Sequence, residues 1–129
     1  MIEIKDLKVT YKIKNEEYVA LNNINFELSL DEIVVFIGPS GCGKSTLLHV
    51  LSGIINKYDG SVFINGEKPN PKRHKIGLIL QNYGLLPWKN VYQNATLGLK
   101  NKSLRDEREY IDYILEVLGL KKLFKRYPN

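Results

Sequence analysis

Residues 33–45 read Ile33-Val-Val-Phe-Ile-Gly-Pro-Ser-Gly-Cys-Gly-Lys-Ser45, an apolar run feeding a complete G-x-x-x-x-G-K-[ST] pattern from Gly38 to Ser45. Thr46-Leu-Leu-His-Val-Leu51 comes next, with a helix-forming composition. A strand, a glycine-rich turn and a helix, in that order, are the setting in which this pattern holds phosphate. At ordinary glycine usage the bare pattern arises by chance in roughly one chain of this length in a few hundred, and the flanking elements lower that further. The stretch predicts a loop that grips the phosphates of a nucleotide.

The spacing carries the chemistry. Gly38, Gly41 and Gly43 carry no Cβ, so the backbone can turn tightly and bring N–H groups against phosphate oxygens. Pro39, Ser40 and Cys42 occupy the free positions of the same loop. A helix opening near Lys44 aims its unpaired N–H groups, worth about half a positive charge, at the same point. Lys44 adds a mobile full charge for the outer phosphates. Ser45 offers a hydroxyl to Mg²⁺, a cation that prefers octahedral oxygen ligands and is commonly shared with phosphate. Cys42 is the only cysteine in the chain and reads as a small filler rather than a nucleophile.

Working outward, the 129 residues fit one domain that could bury about two-thirds of its unfolded surface. One cysteine excludes an internal disulfide framework and suits a reducing compartment. Met1-Ile-Glu-Ile-Lys-Asp6 lacks the apolar stretch of a secretion signal, and no apolar run approaches the ~20 residues of a membrane span. A cytoplasmic chain that does not itself cross a membrane is expected. The net charge of +5 is mild. Lys100, Lys102, Arg105, Arg108, Lys121, Lys122, Lys125 and Arg126 alternate with acids, so they read as solvated helical faces and no nucleic-acid partner is expected.

Ile2 to Thr10 alternates apolar and polar residues as a half-buried strand does, and Leu21 to Leu30 does so again. Lys12 to Tyr18 reads as the polar connection between them. The unbroken run Ile33–Ile37 predicts a strand buried on both faces, as in a parallel sheet beneath helices. Ser61 to Gly66 predicts a strand entering a turn, with Asn65-Gly66 as the hairpin signal. Lys75 to Leu80 predicts another short buried strand ending at Gln81, after which a loop carries Leu85-Leu-Pro-Trp88. Ser103 reads as a helix N-cap with Asp106 in the capping-box position. Tyr110, Ile111, Ile114, Leu115 and Leu118 then form one apolar stripe closed by Gly119.

About thirty residues of antiparallel pattern precede the phosphate loop. That arrangement resembles the ATP-binding subunit of ABC transporters. The resemblance implies an α/β fold: a P-loop NTPase with an incomplete RecA-like core, an N-terminal antiparallel β-subdomain and the start of a helical subdomain. It divides the chain into residues 1–80 (β-subdomain and phosphate-loop core), 81–99 (the segment after the core glutamine) and 100–129 (helical subdomain). Tyr11 lies where that family places a ring against adenine. Gln81 matches the glutamine that contacts Mg²⁺ and the region of the attacking water. With Lys44 it is the catalytic candidate. The segment Leu80-Gln-Asn-Tyr-Gly-Leu-Leu-Pro-Trp88 is most similar to importers of the nitrate, sulfonate, taurine and thiamine-precursor group. The resemblance further implies ATP and Mg²⁺ as ligands, and a membrane-spanning subunit and a second ATPase subunit in a head-to-tail dimer as partners. It places the chain on the inner face of the cell membrane.

The chain departs from the family where hydrolysis is completed. The Leu-Ser-Gly-Gly signature, the strand ending in Asp followed by Glu, and the later switch histidine are not in this sequence. Leu51-Ser-Gly53 ends the phosphate-loop helix instead. Leu28-Ser-Leu-Asp31-Glu32 precedes the loop and reads as a turn. His49 and His74 match no switch position and read as structural or surface residues. Tyr127-Pro128-Asn129 resembles the family just short of its signature. Hydrolysis by this chain alone is therefore expected to be absent, and marginal stability is expected. Two other readings stay open: a different P-loop enzyme such as a small kinase, for which no acceptor site or lid is visible, and a non-catalytic nucleotide-binding product of a degraded gene.

Overall fold

Alternation of apolar and polar residues in the first 28 positions builds a hairpin whose one face can be buried. In the computed structural model, β1 spans Ile2–Ile13 and β2 spans Glu16–Leu28, paired antiparallel, and β3 at Asp59–Ile64 pairs antiparallel with the other edge of β1. The order is β2-β1-β3. The structure describes residues 1–29, 31–99 and 108–128, and the chain divides into two compact units, 1–78 and 79–129.

In the first unit the hairpin connection is shorter than the polar stretch suggests. Only Lys14 and Asn15 turn, with Lys14 at φ 55°, because Tyr11 pairs with Tyr18 and Lys12 with Glu17. The Lys12–Glu17 ion pair, at 3.2 Å, is one such cross-strand contact. The alternation of β1 also slips by one residue. Ile4, Leu7 and Val9 are all buried, and the register shifts between Ile4 and Leu7, where Asp6 adopts φ 52°. This bulge returns the later apolar residues to the inner face. Its free amide is satisfied, since Asp6 N–H donates to Asn25 Oδ1 at 2.8 Å.

Helix α1, Lys44–Leu51, lays Leu47 and Val50 into the cluster formed by Ile4, Leu7, Val9, Leu21 and Val62. Each such side chain contributes about 1.5–3 kcal/mol when fully removed from water. Asn65-Gly66 makes the expected turn with both residues at positive φ, closed by Ile64 N–H donating to the carbonyl of Glu67 at 2.8 Å.

Two expected strands do not form. Ile33–Ile37 and Lys75–Leu80 lie outside every strand among the described residues. Ile33 and Ile37 are 96% and 92% exposed, the reverse of the two-sided burial that the run predicts. A strand interior to a sheet exists only through its neighbours, and no described segment pairs with this one. Phe36 anchors it, packing on Phe26 with ring centroids 5.7 Å apart.

In the second unit, α2 (Val91–Ala95) opens with a capping box: Asn90 Oδ1 accepts from Gln93 N–H at 2.8 Å and Gln93 Oε1 from Asn90 N–H at 3.0 Å. Val91 N–H donates to the carbonyl of Arg126, and the rings of Tyr92 and Phe124 lie 5.2 Å apart. Helix α3, Arg108–Val117, ends as expected at Gly119, with Leu120 N–H reaching back to the carbonyl of Leu115 and Gly119 N–H to that of Glu116. Its apolar stripe is less covered than the pattern predicts: Leu115 is buried, whereas Tyr110 and Leu118 are exposed. The expected N-cap at Ser103 and Asp106 falls outside the described residues.

Candidate nucleotide-binding site

The site assembles where the chain leaves Phe36 and enters α1. Helix α1 begins at Lys44, with Gly43 as its N-cap in the left-handed region at φ 96°. That conformation is costly for any residue with a side chain. Space imposes the same choice, since a Cβ on Gly43 would lie 2.6 Å from the carbonyl oxygen of Ala20 and 2.6 Å from Leu21 Cδ2. The phosphate loop is thereby seated directly on β2, in a contact that the sequence motif does not reveal.

The electrostatics favour an anion. No acidic residue sits in the first turn of α1, so its N-terminal partial charge is not neutralised from within the helix. Lys44 Nζ folds over the loop, donating to the carbonyls of Gly38 at 2.8 Å and Pro39 at 2.7 Å, with Cys42 Sγ at 3.4 Å. The ammonium is thus held within the loop by groups that phosphate oxygens can replace. Cys42 is exposed. Ser45 lies in the first turn, beside Lys44. A hydroxyl there, next to a loop suited to phosphate, is a donor set that fits Mg²⁺ shared with phosphate oxygens.

Tyr11, expected against adenine, is at the far end of β1 and reaches α1: its hydroxyl lies 3.4 Å from Thr46 Oγ1. The ring is partly exposed beside the loop. Gln81 belongs to the second unit, where it is exposed and opens the turn 81–84 rather than closing a strand. The structure therefore brings Tyr11, Gly38, Pro39, Ser40, Gly41, Cys42, Gly43, Lys44, Ser45 and Thr46 into one unit, while Gln81 lies in the other. The His74 ring serves local structure. His74 Nδ1 accepts from Asn70 N–H at 3.1 Å, which leaves Nε2 to donate to the carbonyl of Ile64 at 3.2 Å. The carbonyl of His49 accepts at the C-terminal end of α1 from Ile54 and Ile55.

Sequence reasoning missed Asn94, whose side chain makes four polar contacts in the second unit. The Asn90-x-x-Gln93 spacing was the available signal, since it marks a helix start four residues before Asn94. Among the described residues no helix is long and apolar enough to cross a membrane.

Comparison with known proteins agrees with this geometry. A family model described as ABC transporter matches residues 21–129. An uncharacterized ABC transporter ATP-binding protein, YtlC of Bacillus subtilis, is 40% identical over 122 residues, covering 93% of this chain and 47% of that protein. The aliphatic sulfonates import ATP-binding protein SsuB of Bacillus subtilis is 38% identical over 132 residues, covering 95% of this chain and 51% of its own length. A solved dimeric post-hydrolysis state of the ATP-binding cassette MJ0796, bound to ADP and Pi, superposes with a TM-score of 0.81 at 28% identity, covering 100% of this chain and 62% of that one. The chain thus spans about half the length of the curated relatives it matches.

Proposed function

The chain belongs to the ABC transporter family, and from that premise we propose that it is the nucleotide-gripping part of an ATPase subunit that drives solute import. The supporting observation is the phosphate loop seated on β2 through Gly43, with Lys44 Nζ held over it by the carbonyls of Gly38 and Pro39. Lys44 and the loop N–H groups from Gly38 to Thr46 bind the phosphates, and Tyr11 stacks on adenine. Ser45 would hold Mg²⁺, which when bound would neutralise charge on the outer phosphates.

No carboxylate accompanies Lys44 in the first turn of α1. The residues of the loop therefore position phosphate without polarising a water. We expect these residues by themselves to bind nucleotide without turning it over. In the complete subunit, two copies would close head to tail over two nucleotides. Leu85-Leu-Pro-Trp88 would meet the membrane-spanning subunit on the cytoplasmic face. The similarity to SsuB supports an organic anion of the sulfonate type as the solute class.

Titration with Mg²⁺-ATP, following melting temperature and phosphate release together, tests the reading. ATP is expected to raise the melting temperature of the unaltered chain, by up to about 2.7 kcal/mol of stabilisation at a hundredfold excess over Kd. Lys44→Ala should abolish the rise. ATP affinity unchanged in Lys44→Ala would sink the assignment, and Lys44-dependent phosphate release would overturn the statement on turnover.

A further inference from the structure

The segment 86–96 contains more hydrogen-bonding order than an exposed loop requires. Lys89 N–H donates to the carbonyl of Leu86 at 3.0 Å, closing a four-residue turn with Pro87 second and Trp88 third. Proline in that place presets the turn. Trp88 stands at its tip, 69% exposed. The turn is gripped from α2. Asn94 Oδ1 accepts from Leu86 N–H at 2.8 Å, and Asn94 Nδ2 shares its two hydrogens among the carbonyls of Leu86 at 3.1 Å, Lys89 at 2.8 Å and Asn90 at 3.1 Å.

One side-chain amide on α2 therefore holds both ends of the Trp88 turn. The helix is itself fastened by its capping box and by the bond from Val91 N–H to the carbonyl of Arg126. An asparagine is needed for this: a carboxylate lacks the donors and would set its oxygens against three carbonyls. Turning an indole outward on a rigid support costs apolar exposure and preorganises it for contact, because the freedom of the turn that carries it is spent before binding.

We propose that Asn94 is the positioning residue that holds Trp88 outward in a fixed turn. The purpose assigned to that display, contact with a membrane-spanning subunit, rests on the proposed function; the positioning itself does not.

Trp88 is the only tryptophan in the chain, so its fluorescence reports the turn without labelling. Time-resolved anisotropy would be recorded for the full chain and for Asn94→Ala and Asn94→Asp, with amide exchange at Leu120 confirming that the cap of α3 is retained. Loss of the slow component of Trp88 anisotropy in both variants is the expected result. An unchanged anisotropy in either folded variant would overturn the proposal. Should both variants lose the Leu120 protection, the unaltered chain decides. Slow exchange at Leu86 N–H, whose acceptor is Asn94, supports the clamp, and exchange at the rate of an open loop refutes it. These readings need neither nucleotide nor partner, so their failure is distinct from failure of the Lys44 titration.

Discussion

The hydroxyl of Tyr11, near the end of β1, lies 3.4 Å from Oγ1 of Thr46 in the first turn of α1. This is beyond the usual range of about 2.5–3.0 Å for an O–H···O hydrogen bond, so the bond itself contributes little and the ring's place beside the phosphate loop matters more. Tyr11→Phe should leave stability within about 0.5 kcal/mol and retain ATP affinity. Tyr11→Ala should weaken ATP binding by about 5–150-fold, the equivalent of losing one base-stacking ring. Calorimetric titration of the three proteins separates these outcomes, and an Ala variant that binds like the unaltered chain would remove Tyr11 from the site.

Gly43 carries two constraints at once, a φ of 96° and a place within 2.6 Å of the Ala20 carbonyl for any added Cβ. Gly41, at φ 82°, has open space around it. Gly41→Ala should therefore cost about 1–2 kcal/mol, from backbone strain alone. Gly43→Ala should cost about 1–3 kcal/mol more, from the forced separation of α1 and β2. Melting without nucleotide measures both. Equal losses would mean that the seating of the loop on β2 carries no stability.

The phosphate loop was legible because its pattern is local: glycines, lysine and serine at fixed spacing determine where α1 starts. The β1–β2 hairpin and the Asn65-Gly66 turn were legible for the same reason. The parts that escaped depend on partners distant in sequence. Ile33–Ile37 has the composition of a two-sided buried strand, yet composition cannot state whether a neighbouring strand is at hand. The bulge at Asp6 was hidden because the side chain that satisfies its amide, Asn25, lies nineteen residues away. Asn94 was missed since its partners, Leu86 and Lys89, are backbone groups that carry no sequence signal.

Alkaline stability offers a test of the first unit's core. Tyr58 packs against the cluster around Leu7 and Val50, and burial raises its phenol above the ordinary value of about 10. The folded state thus resists the phenolate. Its contribution is fully present below the unfolded pKa near 10 and is lost as pH rises through the raised folded value. Tyr58→Phe should match the unaltered chain at neutral pH and lose less stability above pH ~10. Denaturant melts at neutral and alkaline pH, compared pairwise, cancel the other tyrosines. Parallel losses in the two proteins would show that Tyr58 is not the group responsible.

The run Ile33–Ile37 predicts self-association of this chain. Ile33, Val35 and Ile37 are 96%, 73% and 92% exposed, whereas the intervening Phe36 packs on Phe26. An apolar, uncharged segment with unpaired backbone is a template for pairing with another chain. Light scattering should show association that grows with concentration, and a hydrophobic dye should bind. Val35→Lys places a charge on the exposed side without touching the Phe36 contact. It should raise the monomer fraction while leaving stability within about 0.5 kcal/mol. Phe36→Ala should do the opposite, lowering stability through the lost ring contact without curing association. If Val35→Lys associates as strongly as the unaltered chain, the exposed run is not the sticky surface, and the unpaired stretch 75–80 becomes the next place to put a charge.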